Sequence, residues 1–83
     1  MKILPLHVEI TRYLAARNLQ KKFSKQIKFL FSNPHHPSLH TELLIPKQHG
    51  IYSFRIDHKY RALFIFRPDQ KAIEILTITD HYQ

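Results

Sequence analysis

Apolar residues change their spacing once along this chain, from a helical period near its start to a strand period near its end. Leu6, Ile10, Tyr13 and Leu14 recur at helical spacing, and after a break near Asn18 so do Leu19, Phe23, Ile27, Leu30 and Phe31. Two amphipathic helices are predicted, preceded by a short strand from Lys2 to Leu4 that Pro5 ends. Further on, Tyr52, Phe54 and Ile56 form one alternating set, and Tyr60, Ala62, Phe64 and Phe66 form another. A third strand runs from Ala72 to Tyr82, with Leu76 and Ile78 on one side and Ile73, Ile75, Thr77, Thr79 and His81 on the other. Between helices and strands, Asn33 to Gly50 carries Pro34, Pro37 and Pro46 and reads as a long connection. Within it Ser38 is placed to cap a short turn whose Leu39, Leu43 and Leu44 pack back on the sheet. Connections of this length in small domains often bear function.

If both strand sets cover one core, the register pairs Phe54 with Ala62 and Tyr52 with Phe64, leaving Asp57, His58 and Lys59 as a three-residue loop. Arg55 then faces Arg61 directly. Like charges opposed across a ladder are unfavourable unless something relieves them, and a bound anion would do so. Guanidiniums suit phosphate because each donates two parallel charge-assisted hydrogen bonds. Placing Leu76 and Ile78 in the core turns His81 toward the arginine face. The expected core unites Phe23, Ile27, Leu30, Phe54, Phe64 and Leu76.

Composition is compatible with one small domain, residues 1–83, with 43% apolar residues for one modest core. The net charge of +7 is uneven: seven basic residues face only Glu9 in the first 28 positions, and five face only Asp57 from Lys47 to Arg67. Such a balance suits a polyanion. Lys21, Lys25 and Lys28 make a basic stripe on the second helix, read as solvated surface that an acidic partner or ribosomal RNA is able to use. There is no cysteine, no apolar run of membrane-spanning length and no signal-peptide pattern, so a cytoplasmic protein is expected. His35, His36 and His40 are read as a solvated or RNA-contacting loop, since adjacent histidines point different ways and the nearest carboxylate, Glu42, has a better use. His7, His49 and His58 default to surface residues. No metal and no cofactor are expected.

The pattern NP-x-x-PSL-x-x-x-x-L from Asn33 to Leu44, then G-x-Y-S-x-RI-x-x-x-YR from Gly50 to Arg61, then His81-Tyr82, resembles the RelE/ParE superfamily of bacterial toxins from type II toxin–antitoxin operons. It is most similar to the YoeB branch. The resemblance implies an α+β, RelE-like fold in the order β-α-α-β-β-β, with two N-terminal helices on one face of a small, mainly antiparallel sheet. It also implies a cognate antitoxin as partner, and an endoribonuclease that cuts mRNA on the ribosome without a metal ion.

RNA carries its own nucleophile, the 2'-hydroxyl, so a cleaving enzyme must take its proton, stabilise charge on phosphorus and protonate the departing 5'-oxygen. By resemblance Arg61 matches the phosphate-stabilising arginine, and His81 and Tyr82 match the His-Tyr pair. His81 is assigned as general acid and Tyr82 as a positioning or base-stacking group. Arg55 is assigned to phosphate beside Arg61. For the general base, Glu42 is the only carboxylate between Glu9 and Asp57, although its spacing from the hairpin departs from the branch pattern. Lys47 and Lys59 offer the alternative of a lysine-supported site. Two other readings share the fold: a ParE-like inhibitor of DNA gyrase, and a catalytically silent RNA- or antitoxin-binding relic. Arg61→Ala is expected to lose activity while keeping or gaining stability.

Overall fold

The computed structural model describes residues 2–80. Strand β1 (Lys2–Ile3) leads through Pro5 into helix α1 (Val8–Ala16), and helix α2 (Gln20–Ser32) follows. The break between the helices is made by Asn18, whose φ of 55° lies in the left-handed region that Asn tolerates better than most residues. After α2 come a 3₁₀ turn at Pro37–Leu39, strand β2 (Glu42–Leu43) and a second 3₁₀ turn at Lys47–His49. Gly50, at φ 64°, closes that turn and starts β3 (Ile51–Arg55). Strands β4 (Arg61–Arg67) and β5 (Ala72–Thr79) complete a five-stranded sheet of order β1-β5-β4-β3-β2. The β1–β5 pair is parallel and the other three pairs are antiparallel.

The expected hairpin register is the observed one: Phe54 pairs with Ala62, Tyr52 with Phe64 and Arg55 with Arg61. Phe54 and Phe64 are fully buried and pack with Ile10 and Leu14 of α1 and with Phe23 and Leu30 of α2. The rings of Phe23 and Phe54 lie 6.1 Å apart and those of Phe54 and Phe64 5.8 Å apart, so aromatic contacts join helix to sheet. Ile27 flanks this core, partly buried.

Four expectations need correction. Strand β5 does not alternate throughout, because Leu63 pairs with Thr77 while the next residue, Phe64, pairs with Ile75, leaving Leu76 as the extra residue of a bulge. The bulge moves Ile73 and Ile75 into the core beside Ile78, and Leu76 is only half-buried. The connection after α2 also contributes the short strand β2, which carries an exposed Leu43. Lastly, Phe31 points outward, and the polar Gln26 takes a buried place on α2 instead.

Candidate active site

On the sheet face away from Phe54 and Phe64, the β3–β4 loop and the segment entering β2 enclose a cleft of about 210 Å³. It is lined by His40, Glu42, Arg55, Asp57, His58, Lys59 and Arg61. Strand parity accounts for the arginines, which share the face opposite the apolar set. Parity also brings in Glu42, since it pairs with Ser53, which lies two residues from Arg55 on that same face.

Among the described lining residues Arg61 alone is buried, 7% exposed. Its Nε donates to Ser53 Oγ at 3.0 Å, and one terminal nitrogen donates to the carbonyls of His40 and Ser53. Burial pulls its pKa below the ordinary guanidinium value; Glu42 nearby raises it and Arg55 lowers it again. The group remains a cation. This environment argues against the expectation that Arg61→Ala keeps stability, because Arg61 donates to three acceptors. Arg55 is half-buried, and among the described residues its guanidinium makes no side-chain hydrogen bond.

The loop of Asp57, His58 and Lys59 is ordered by one carboxylate. Asp57 Oδ1 accepts from the backbone N–H of Lys59 at 2.9 Å and of Tyr60 at 2.8 Å, while Oδ2 meets Lys22 Nζ of α2 at 3.1 Å. Burial opposes ionisation of this carboxyl, yet the N–H groups of Tyr60 and Lys59 and the ammonium of Lys22 together hold its pKa below the ordinary value.

The proline-rich connection is equally determined. Asn33 Oδ1 accepts from the N–H of His35, and His36 Nδ1 accepts from the N–H of Ser38 while its ring stacks on Phe29 at 4.1 Å. Leu39 is fully buried, and His40 turns the chain at φ 46°, ψ 50°, which presents its carbonyl to Arg61. The three histidines therefore go to different places: His35 outward, His36 onto Phe29 and His40 into the cleft.

Of the residues expected to form a site, the cleft brings together Arg61, Arg55, Glu42 and Lys59. Lys47 sits exposed in its 3₁₀ turn and does not line it. His81 and Tyr82 lie outside the described residues. Sequence reasoning missed His40, Asp57 and His58 as lining groups. A signal existed for the latter two, since the register already made them the loop between the opposed arginines. No described helix is long and apolar enough to cross a membrane.

No family model matches the sequence, and no curated protein does. Solved structures do match. A YoeB/ParE toxin from Agrobacterium tumefaciens superposes with a TM-score of 0.76 at 17% identity, covering 99% of this chain and 100% of its own. The YoeB dimer of Staphylococcus aureus superposes at 0.71, with 24% identity over 98% of this chain and 94% of its own. A chain of the heterotetrameric YoeB–YefM toxin–antitoxin complex from the same organism does so at 0.70, again with 24% identity over 98% and 94%. From β1 to the end of β5, this chain has the α+β fold of YoeB/ParE toxins.

Proposed function

We propose that the chain is the toxin of a type II toxin–antitoxin pair and an endoribonuclease that cleaves mRNA on the ribosome, arresting translation in the cytoplasm. The observation that carries this reading is the cleft in which a carboxylate, Glu42, stands beside two opposed arginines, Arg55 and Arg61. A fold shared with YoeB/ParE toxins supports it. The YoeB–YefM complex supports a cognate antitoxin as partner, one that covers the basic surface with an acidic or amphipathic segment.

In the proposed reaction Glu42, or Lys59 in the lysine variant, takes the proton of the 2'-hydroxyl. The 2'-oxygen bonds to phosphorus, and the bond from phosphorus to the 5'-oxygen breaks. Arg55 and Arg61 neutralise the charge that builds on the phosphoryl oxygens. His81 donates a proton to the leaving 5'-oxygen, and Tyr82 stacks on a base. The products are a 2',3'-cyclic phosphate and a 5'-hydroxyl, reached with protein groups alone.

The test is cleavage of a defined mRNA on translating ribosomes by the purified chain, with Glu42→Gln and Arg55→Ala as comparisons. The wild type should generate discrete new 5' ends and both variants should lose them while remaining folded. Growth arrest with intact mRNA and inhibited gyrase would transfer the reading to a ParE-like toxin. A harmless protein that neither cleaves RNA nor inhibits gyrase would be the silent binder.

A further inference from the structure

Gln26 is a polar residue in the apolar stripe of α2, and it is only 7% exposed. Its Nε2 donates to the carbonyl of Ser38 at 2.9 Å and to the carbonyl of Arg55 at 2.7 Å, and its Oε1 accepts from Ser38 Oγ at 3.4 Å. Both carbonyls can only accept, so the amide orientation is fixed by its partners. The two acceptors belong to opposite sides of the cleft. Arg55 ends β3 on one side, and Ser38 lies two residues before His40 on the other. Arg61 ties the same two segments on the cleft side through Ser53 and His40. The distance between the Arg55 side and the His40–Glu42 side is thereby held from behind by Gln26 and from within by Arg61.

We infer that Gln26, by bridging the two walls of the cleft with one buried amide, is a positioning residue for the proposed phosphodiester cleavage; the inference rests on that reading of the site. Gln26 touches no substrate. It acts by fixing the backbone from which Arg55 projects relative to the segment that leads to Glu42. Reaction rates are sensitive to such placement, since a shift near 1 Å between reacting groups costs on the order of a hundredfold.

The experiment compares wild type with Gln26→Leu, which keeps volume but removes both donors, and with Ile10→Val, a core change on α1 remote from the cleft. Three quantities are measured on the full chain: the unfolding midpoint, the single-turnover cleavage rate on ribosome-bound mRNA, and the affinity for a short RNA carrying a 2'-deoxy residue at the cut site. Gln26→Leu should lower the cleavage rate at least tenfold while changing affinity less than threefold. Gln26→Glu, whose carboxylate repels both carbonyls but whose protonated form donates to one, should recover part of its lost rate as pH falls, relative to wild type at each pH. Gln26→Leu cleaving at the wild-type rate would overturn the inference, as would Ile10→Val losing as much rate for an equal loss in midpoint. Amide resonances separate this outcome from failure of the nuclease reading. If the wild type cleaves nothing, shifts at His40, Glu42 and Arg55 in Gln26→Leu still support the bridge, and unchanged resonances at all three overturn it.

Discussion

A terminal nitrogen of Arg61 donates to the main-chain carbonyl of His40, a residue held in the left-handed region at φ 46°. The buried cation thus fixes a turn of the connection as well as facing the cleft, and its removal leaves the His40 carbonyl and the Ser53 hydroxyl without this donor, while the Ser53 carbonyl keeps its ladder partner in β2. Hydrogen bonds to charged groups contribute about 1.5–3 kcal/mol each, and stranded partners add a desolvation cost. Arg61→Ala should therefore destabilise by roughly 2–4 kcal/mol, lowering the thermal midpoint by about 10–20 °C for a domain of this size. Arg61→Lys should fall between the two, since an ammonium cannot span both acceptors. Equilibrium denaturation of the three proteins checks this: an Arg61→Ala protein as stable as wild type would show that the hydrogen bonds to His40 and Ser53 contribute nothing net.

The bulge in β5 makes a second prediction, because it exchanges the faces of two adjacent residues. Ile75 is buried opposite Phe64, whereas Leu76 is the unpaired extra residue and half-exposed. Ile75→Ala should cost about 2–5 kcal/mol, as buried aliphatic truncations do, and Leu76→Ala about 1 kcal/mol or less. Denaturant midpoints of the two variants decide it; equal losses would contradict the register.

The contrast between β3–β4 and β5 shows what the sequence carried. Opposed arginines were legible because pairing Tyr52 with Phe64 and Phe54 with Ala62 puts both apolar sets on one face, with Phe54 and Phe64 fully buried there. In β5 the apolar positions 73, 75, 76 and 78 satisfy neither parity, and only the mate across the ladder, Phe64 on Ile75, shows where the extra residue goes. Strand β2 was hidden because two residues between turn-forming segments carry no periodicity. Gln26 was hidden for a different reason: its partners are main-chain carbonyls 12 and 29 residues away, and no side-chain pattern encodes a carbonyl. Hydrophobicity alone also puts Phe31 with the apolar set of α2, yet Phe31 is exposed, and the face shared with Phe23 and Leu30 includes Gln26, whose amide is satisfied by two main-chain carbonyls.

Asp57 gives a pH dependence whose sign follows from its environment. Its folded pKa lies below the ordinary 3.8, because the N–H groups of Tyr60 and Lys59 and the ammonium of Lys22 outweigh the opposing effect of burial. A depressed carboxyl stabilises the fold above its unfolded pKa and loses that contribution as pH falls through the folded one. Asp57→Asn should thus be less stable than wild type at pH 5–7, and the gap should close progressively below about pH 4. Thermal unfolding of both proteins between pH 7 and 2 reads this directly, and a gap that stays constant to pH 2 would remove Asp57 from the acid response.

Arg55 carries the sharpest prediction, since its two roles pull in opposite directions. It faces Arg61 across the ladder, lowers the pKa of that buried cation, and makes no side-chain hydrogen bond among the described residues. Like charges opposed in this way are destabilising by a few tenths of a kcal/mol up to about 1 kcal/mol, so Arg55→Ala should match or slightly exceed wild-type stability. An anion in the cleft reverses the sign of that interaction, because both guanidiniums then share one partner. Adding inorganic phosphate at low ionic strength should accordingly raise the unfolding midpoint of wild type more than that of Arg55→Ala. Cleavage by Arg55→Ala should fall on the order of a hundredfold or more, the usual cost of losing a group that stabilises transition-state charge. Arg55→Lys should recover little of it, since an ammonium lacks the two-pronged donor. A protein with Arg55→Ala that loses stability, gains the same midpoint shift from phosphate and cleaves normally would assign the cleft's anion affinity to residues other than the opposed pair.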